Sequence, residues 1–403
     1  MKILMVNKFL FPNGGSETYI FGLGKVLKEK GHEVQFFGME HEGRIVGNHA
    51  GSYTSSMDFH TGKLQKLLYP LKIIYSGEAR KKIRKVLDDF RPDIVHLNNF
   101  NFQITPSIIY EIRKWGKQNN KYVPILYTAH DYQWVCPNHM LFIPEKNENC
   151  FRCAGGKYWN CTKNKCIHNS GVKSLLGTLE GMLYNSLRTY EKVDLIICPS
   201  RFMKEKLESN PALRGRTEIL YNFLDEKERS FTKKKDYILY FGRYSIEKGI
   251  GTLVKVCQKL PELQFIFAGS GELEEAIESC PNIENRGFLK GKELETLIAE
   301  ARFTIYPSEW YENCPFSVLE SQYYGTPVIA SDIGGVPELL EDGVTGELFL
   351  PGDVDDLRSK IESLWYNSDK LELYTGNCQK KKFCLANEYE EQLVNLYQNL
   401  IDR

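Results

Sequence analysis

Short, largely apolar runs alternate with segments of helical period along most of the chain. In the first half the runs 2–7, 33–39, 94–99, 125–130 and 194–198 predict strands covered on both faces. The second half repeats the pattern with runs at 237–242, 264–268, 303–306, 327–330 and 346–350. Amphipathic stretches between them predict crossover helices, so the fold class is α/β with two parallel sheets. The halves meet at 222–236, where Asp225-Glu226-Lys227-Glu228-Arg229 and Lys233-Lys234-Lys235 break all periodicity and predict a linker. At the far end Tyr389, Leu393, Leu396, Tyr397, Leu400 and Ile401 recur at helical spacing and predict a terminal amphipathic helix. The expected organisation is a first domain over 1–222 with a cysteine-rich insertion at about 136–170, a second over 223–385, and a closing helix over 386–403.

Composition changes this picture in one respect. The 403 residues carry no net charge, yet residues 1–200 hold 27 Lys and Arg against 17 Asp and Glu, and the remainder 25 against 35. A basic first half suits an anionic surface or acceptor. Within it, Lys63–Asp89 interleaves Lys63, Lys66, Lys72, Arg80, Lys81, Lys82, Arg84 and Lys85 with Leu64, Leu67, Leu68, Leu71, Ile73, Ile74, Ile83 and Val86. That composition fits a helix on an anionic membrane, and equally a surface helix whose apolar side is in the core; the charge excess of the same half favours the membrane. No run approaches the roughly 18 apolar residues of a membrane span, and Met1–Asn7 reaches polar residues too soon for a signal peptide. The expected location is therefore the cytoplasm, peripheral to the inner face of the membrane. Nothing points to nucleic acid.

Candidate chemistry concentrates in the second half. Glu312-Asn313-Cys314-Pro315-Phe316-Ser317-Val318-Leu319-Glu320 places carboxylates eight positions apart around a proline that suits a helix start. The N–H groups of Asn313, Cys314, Phe316 and Ser317 would then surround a helix N-terminus, a site for polar or anionic ligand groups. Glu312 and Glu320 could grip hydroxyls of two parts of one ligand, such as a sugar and a ribose. Upstream, Gly242-Arg243-Tyr244-Ser245-Ile246-Glu247-Lys248-Gly249 follows a strand, and two cations at its carboxyl end would clamp a diphosphate. In the first half, Gly14-Gly15 lies at a strand-to-helix turn where backbone can approach a ligand, and His130-Asp131 ends a strand, where the carboxylate could simply orient the ring.

Five of the eleven cysteines cluster as Cys136, Cys150, Cys153, Cys161 and Cys166. The C-x2-C pair and the two cysteines after it are similar to a tetrahedral zinc site, so Cys150, Cys153, Cys161 and Cys166 are the expected ligands, with Cys136 as alternate and His139 or His168 as substitutes. Free thiols, then disulfides, are the other readings, the last disfavoured in a reducing cytoplasm.

The second-half motifs, with Pro307-Ser308, Gly325-Thr326-Pro327-Val328-Ile329-Ala330-Ser331, Gly334-Gly335-Val336-Pro337-Glu338 and Gly343-Val344-Thr345-Gly346, resemble the retaining family 4 glycosyltransferases of GT-B fold. The resemblance implies two Rossmann-like domains facing across a cleft, with the last helix crossing back to the first. The resemblance is not specific for substrate; the expected donor carries a hexose or N-acetylhexosamine, with a UDP-sugar ahead of a GDP-sugar, and the basic first half points to a lipid-linked or oligosaccharide acceptor in cell-surface polysaccharide synthesis. Arg243 and Lys248 would neutralise the diphosphate without a divalent metal, leaving zinc a structural role. Glu312 and the N–H groups near Cys314–Ser317 would hold the transferred sugar, Glu320 the ribose, and the Gly287-Phe288 turn the nucleobase. Gly14, Gly15 and Gly242 would line the donor, and His130 would contact its sugar. Asn313-Cys314-Pro315 and Tyr323-Tyr324 depart from the common family pattern. The alternatives are a GT-B sugar-nucleotide epimerase and a non-catalytic partner that only binds a nucleotide sugar.

Overall fold

The structure is a computed structural model that describes residues 1–55, 74–229 and 231–403. It contains two parallel six-stranded sheets. In the first, strands β1 (Lys2–Val6), β2 (Glu33–Phe37), β3 (Ile94–Leu97), β4 (Ile125–Thr128), β7 (Leu195–Cys198) and β8 (Thr217–Ile219) run in the order β2-β1-β3-β4-β7-β8. Ile3, Leu4, Met5 and Val6 of β1 are fully buried, with Ile3 beside Val34 on one side and Ile94 on the other. Such a strand needs apolar residues on both faces, hence the unbroken run.

The second sheet orders β9 (Ile238–Arg243), β10 (Phe265–Ser270), β11 (Ile283–Asn285), β12 (Phe303–Tyr306), β13 (Val328–Ser331) and β14 (Gly346–Phe349) as β11-β10-β9-β12-β13-β14. All ten expected strands form, within two residues of their expected ends. The short edge strands β8 and β11 escape the pattern because Thr-Glu-Ile and Ile-Glu-Asn offer no apolar run.

Two compact units result, one of residues 1–141, 150–223 and 385–403, the other of 142–149 and 224–384. The hairpin of β5 (Phe142–Ile143) and β6 (Glu148–Asn149) joins the second unit, where Asn147 Nδ2 and Asn149 Nδ2 donate to Glu309 at 3.0 and 2.8 Å. The terminal helix Ala386–Ile401 belongs to the first unit, burying Tyr389, Leu393, Tyr397 and Leu400 as its spacing requires. Its Tyr389 hydroxyl lies 2.8 Å from that of Tyr19, and its Tyr397 hydroxyl 2.6 Å from His96 Nδ1.

Burial lowers the His96 pKa to about 3, aided by His130. The unfolded chain therefore takes up the proton first as pH falls, so the stability this residue gives is complete above about 6.5 and lost toward pH 3. At pH 5 the loss is about 2 kcal/mol from this one group. Urea titrations at pH 7 and pH 5 should show at least that increment, and His96→Gln should reduce the difference by about that amount.

The basic segment 63–89 divides. Residues 63–73 lie outside the described residues, while Gly77–Phe90 is a helix that buries Ile83, Val86 and Leu87 in the core. Its Arg80 and Arg84 are neutralised by Glu111, at 2.6 and 3.2 Å. This helix therefore offers a membrane no apolar face, and the core reading holds for it. Among the described residues, no helix is long and apolar enough to cross a membrane.

Candidate active site

The carboxyl ends of β9 and β12 bring the second-half motifs together. Burial stops at Phe241, and Gly242 and Arg243 emerge into solvent. Gly269 of β10 is the register partner of Gly242, and a Cβ there would fall 1.9 Å from Gly242 O, so a side chain would part the strands at this tip. Arg243 is 66% exposed, with Nη2 3.5 Å from Glu247 Oε1. Lys248 turns inward instead: its ammonium lies 2.5 Å from Glu312 Oε1 and donates to the Tyr306 hydroxyl at 3.3 Å. Gly249 follows with φ of 71° and caps the helix Ile250–Lys259. A Cβ on it would sit 1.8 Å from Pro307 O, so this loop presses directly on the segment leaving β12.

Glu312 is buried, and Ser308 Oγ and Trp310 Nε1 add hydrogen bonds to the same Oε1 at 2.7 and 2.6 Å. Burial alone would raise its pKa; Lys248 and then the two neutral donors outweigh it and hold the carboxyl below its ordinary value. The result is an ionised carboxylate locked to an ammonium. Gly334 and Gly335 fix the backbone beneath it, since Gly335 N–H donates to Glu312 O at 2.9 Å and a Cβ on Gly334 would fall 2.3 Å from that oxygen. Trp310 was not legible as a site residue, and Ser308 was visible only as part of a motif.

Past Glu312, the helix runs Phe316–Tyr323 with Pro315 as its N-cap, one residue earlier than a first-turn proline, and no side chain caps it. Phe316 and Ser317 are therefore its first residues, whose N–H groups have no intrahelical acceptor. Glu320 lies in the second turn, half-buried; burial raises its pKa, while Lys227 opposes the rise. The linker bearing Lys227 is tied to this helix, Tyr323 donating its hydroxyl to Lys227 O at 2.7 Å. The departure at Tyr323 thus has a structural use. Gly287 adopts φ of 64°, with its N–H bonded to Asn285 Oδ1 at 3.0 Å, and presents Phe288 at 75% exposure.

In the first unit His130 Nε2 lies 3.0 Å from Asn98 Oδ1, and the Tyr19 ring meets it edge-on at 5.0 Å. Asn98, not Asp131, orients the ring; Asp131 Oδ1 accepts from Gln133 N–H at 3.0 Å. Burial lowers the His130 pKa to about 3, so the imidazole is neutral at physiological pH. Gly14 caps the helix Gly15–Glu29 in extended backbone, and a Cβ on it would make only ordinary contact with Glu17, so no conformational demand explains that glycine. Glu17 is buried beneath the turn and accepts from Asn7 Nδ2 at 2.8 Å and Ser16 Oγ at 2.9 Å.

Residues 13–228 match the profile of Glycosyltransferase Family 4, and residues 223–381 that of Glycosyl transferases group 1. The chain belongs to glycosyltransferase family 4. A 42.6 kDa protein of the cps region of Klebsiella pneumoniae is 25% identical to this glycosyltransferase over 93% of the chain and its own full length. The 2-deoxystreptamine N-acetyl-D-glucosaminyltransferase of Niallia circulans is 30% identical over 40% of the chain and 45% of its own. The GT-B fold is shared with Thermosynechococcus elongatus sucrose-phosphate synthase, at TM-score 0.70, 17% identity and coverage of 100% and 99%. It is shared equally with Anabaena HepE in complex with UDP-glucose, at TM-score 0.67, 16% identity and coverage of 99% and 100%.

None of the five clustered cysteines of the glycosyltransferase is in a disulfide. Cys153 and Cys161 are buried together against Tyr158, with Cys166 and Ile167 alongside. Burial pushes the Cys153 thiol up to about 12 and raises Cys136 further. Among the described residues no three His, Cys, Asp or Glu side chains are arranged to hold a metal ion, so Cys150, Cys153, Cys161 and Cys166 are not a preformed ligand set. Hydrogen bonds tie the segment to its surroundings. Tyr158 donates to Trp134 O at 3.2 Å, and the Thr162 and Thr178 hydroxyls lie 2.8 Å apart.

Proposed function

We propose that this glycosyltransferase moves a hexose or N-acetylhexosamine from a nucleotide diphosphate sugar, a UDP-sugar in preference to a GDP-sugar, to a lipid-linked glycan in cell-surface polysaccharide synthesis at the inner face of the membrane. The anomeric configuration is retained. The observation that carries this is the pair of cations at the tip of β9, one exposed and one anchored to Glu312. Lys248 has three N–H donors. One serves Glu312 and one Tyr306, so the third can meet a phosphate oxygen while the ammonium stays fixed. Arg243, in solvent and only loosely paired, is free to swing onto the same diphosphate. Together they oppose the charge that grows on the leaving nucleotide.

Glu312 and the first N–H groups of the Phe316–Tyr323 helix hold the sugar, Glu320 the ribose, and exposed Phe288 stacks on the base. A neutral His130 is suited to hydrogen-bonding a sugar hydroxyl and not to carrying charge. Support for the nucleotide comes from the fold shared with HepE, whose structure holds UDP-glucose, and for the pathway from the Klebsiella relative of the cps region.

A thermal-shift screen of nucleotide sugars tests the donor. The right one should add about 2.7 kcal/mol of stability at a hundredfold excess over Kd. No stabilisation by any UDP- or GDP-sugar would sink the proposal, and donor turnover without acceptor would make the protein an epimerase. Transfer should also persist in EDTA, because the two cations supply the charge a metal would; activity restored only by Mg²⁺ or Mn²⁺ would contradict this.

A further inference from the structure

The helix Gly171–Ser186 has its polarity reversed. Its inward face is small and hydroxylic: Ser174, Gly177, Thr178, Glu180 and Tyr184 are buried. Thr178 Oγ1 donates to Tyr158 O at 3.0 Å, and Ser174 Oγ accepts from Ile167 N–H at 3.0 Å. A Cβ on Gly177 would fall 2.6 Å from Ile167 Cδ1, so this face is closely packed. Its outward face is apolar. Val172, Leu175, Leu179, Met182, Leu183 and, just beyond the helix, Leu187 are between 36% and 70% exposed. Their spacing of three and four keeps them on one stripe roughly 22 Å long. A soluble helix places such residues inward, and a contiguous exposed stripe marks an interaction surface.

Charge decides the partner. Lys157, Lys163, Lys165 and Lys173 are exposed along the same stretch of chain, while Arg188 is paired with Glu191 at 2.5 Å. From residue 149 to residue 190 the only acidic residue is Glu180, which is buried, its pKa raised by burial to about 8. Between residues 149 and 190 the chain therefore exposes an apolar stripe and lysines with no exposed carboxylate, Glu191 just beyond being paired with Arg188, in the half that carries the basic excess. We infer that this stripe is the surface by which the enzyme rests on an anionic bilayer, its leucines at the acyl boundary and its lysines among the headgroups. The inference deepens the proposed function and rests on its lipid-linked acceptor.

Flotation of the intact protein with vesicles of equal phosphatidylglycerol and phosphatidylcholine, against phosphatidylcholine alone, tests it. Wild type should float with the anionic vesicles and be released as salt rises. Leu179→Ser/Leu183→Ser should lower partitioning by about tenfold or more with the fold retained and Tm lowered only modestly, since both side chains are already more than a third exposed. Lys81→Glu/Lys85→Glu, on the helix whose apolar side is in the core, should change it less than about twofold. The inference is overturned if the stripe variant floats like wild type, if wild type ignores anionic vesicles, or if sedimentation shows a dimer that the stripe variant loses, which would make a second copy the partner. Nucleotide-sugar thermal shifts on the same samples separate the two proposals: failed flotation with donor binding intact removes only the surface, and the reverse removes only the donor assignment.

Discussion

Arg243→Ala and Lys248→Ala are each expected to lower kcat by about 10²–10³, the usual loss when one preorganised charge stabiliser is removed. The two should differ in stability. Arg243 is mostly in solvent and only 3.5 Å from Glu247, a surface contact worth under about 1 kcal/mol, so its removal should leave the unfolding midpoint nearly unchanged. Lys248 is the counter-charge of a buried carboxylate; without it Glu312 keeps two neutral donors, and the variant should lose about 3 kcal/mol. Lys248→Arg should recover much of that stability but little of the turnover, because a planar fork cannot meet Glu312, Tyr306 and a phosphate from one point. Transfer rates and urea midpoints on the same preparations check all three. Near-wild-type turnover in both alanine variants, with the fold intact, would remove the clamp from the mechanism.

Much of the architecture was legible because a strand segment buried on both faces has to be largely apolar, as Ile3–Val6 of β1 and Ile238–Phe241 of β9 are. Pro315 likewise announced a helix start from its missing N–H alone. What the sequence hid were relationships. The ammonium of Lys248 and the carboxylate of Glu312 sit 64 positions apart, and nothing in either motif says that they meet in the unliganded protein. Trp310 looked like one more aromatic, although its indole N–H is a principal donor to that carboxylate. Polarity was misleading in two opposite ways. On Gly77–Phe90 a run of cations suggested a lipid face, but Glu111 answers Arg80 and Arg84, and the aliphatics face the core. On Gly171–Ser186 the leucines point outward because small residues and hydroxyls already fill the inward side, a reversal that helical periodicity cannot reveal.

Gly249→Ala should reproduce the kinetic defect of Lys248→Ala although it removes no charged or hydrogen-bonding side chain. Two independent obstacles meet at this residue. Its φ of 71° costs an L-residue about 1 kcal/mol or more, and the added methyl would land 1.8 Å from Pro307 O, a backbone atom that cannot rotate away. Relief requires the loop carrying Lys248 to part from the segment carrying Ser308, and these two residues are what hold Glu312 in place. A displacement of about 1 Å at a preorganised site costs about 10²-fold in rate. The variant should therefore show kcat lowered by about that factor, together with a lowered unfolding midpoint. Gly251→Ala, two residues on in the same helix and with open space around it, serves as the control and should be nearly neutral. If Gly249→Ala turned over like wild type, the contact between this loop and Pro307 would not be what sets Lys248 against Glu312.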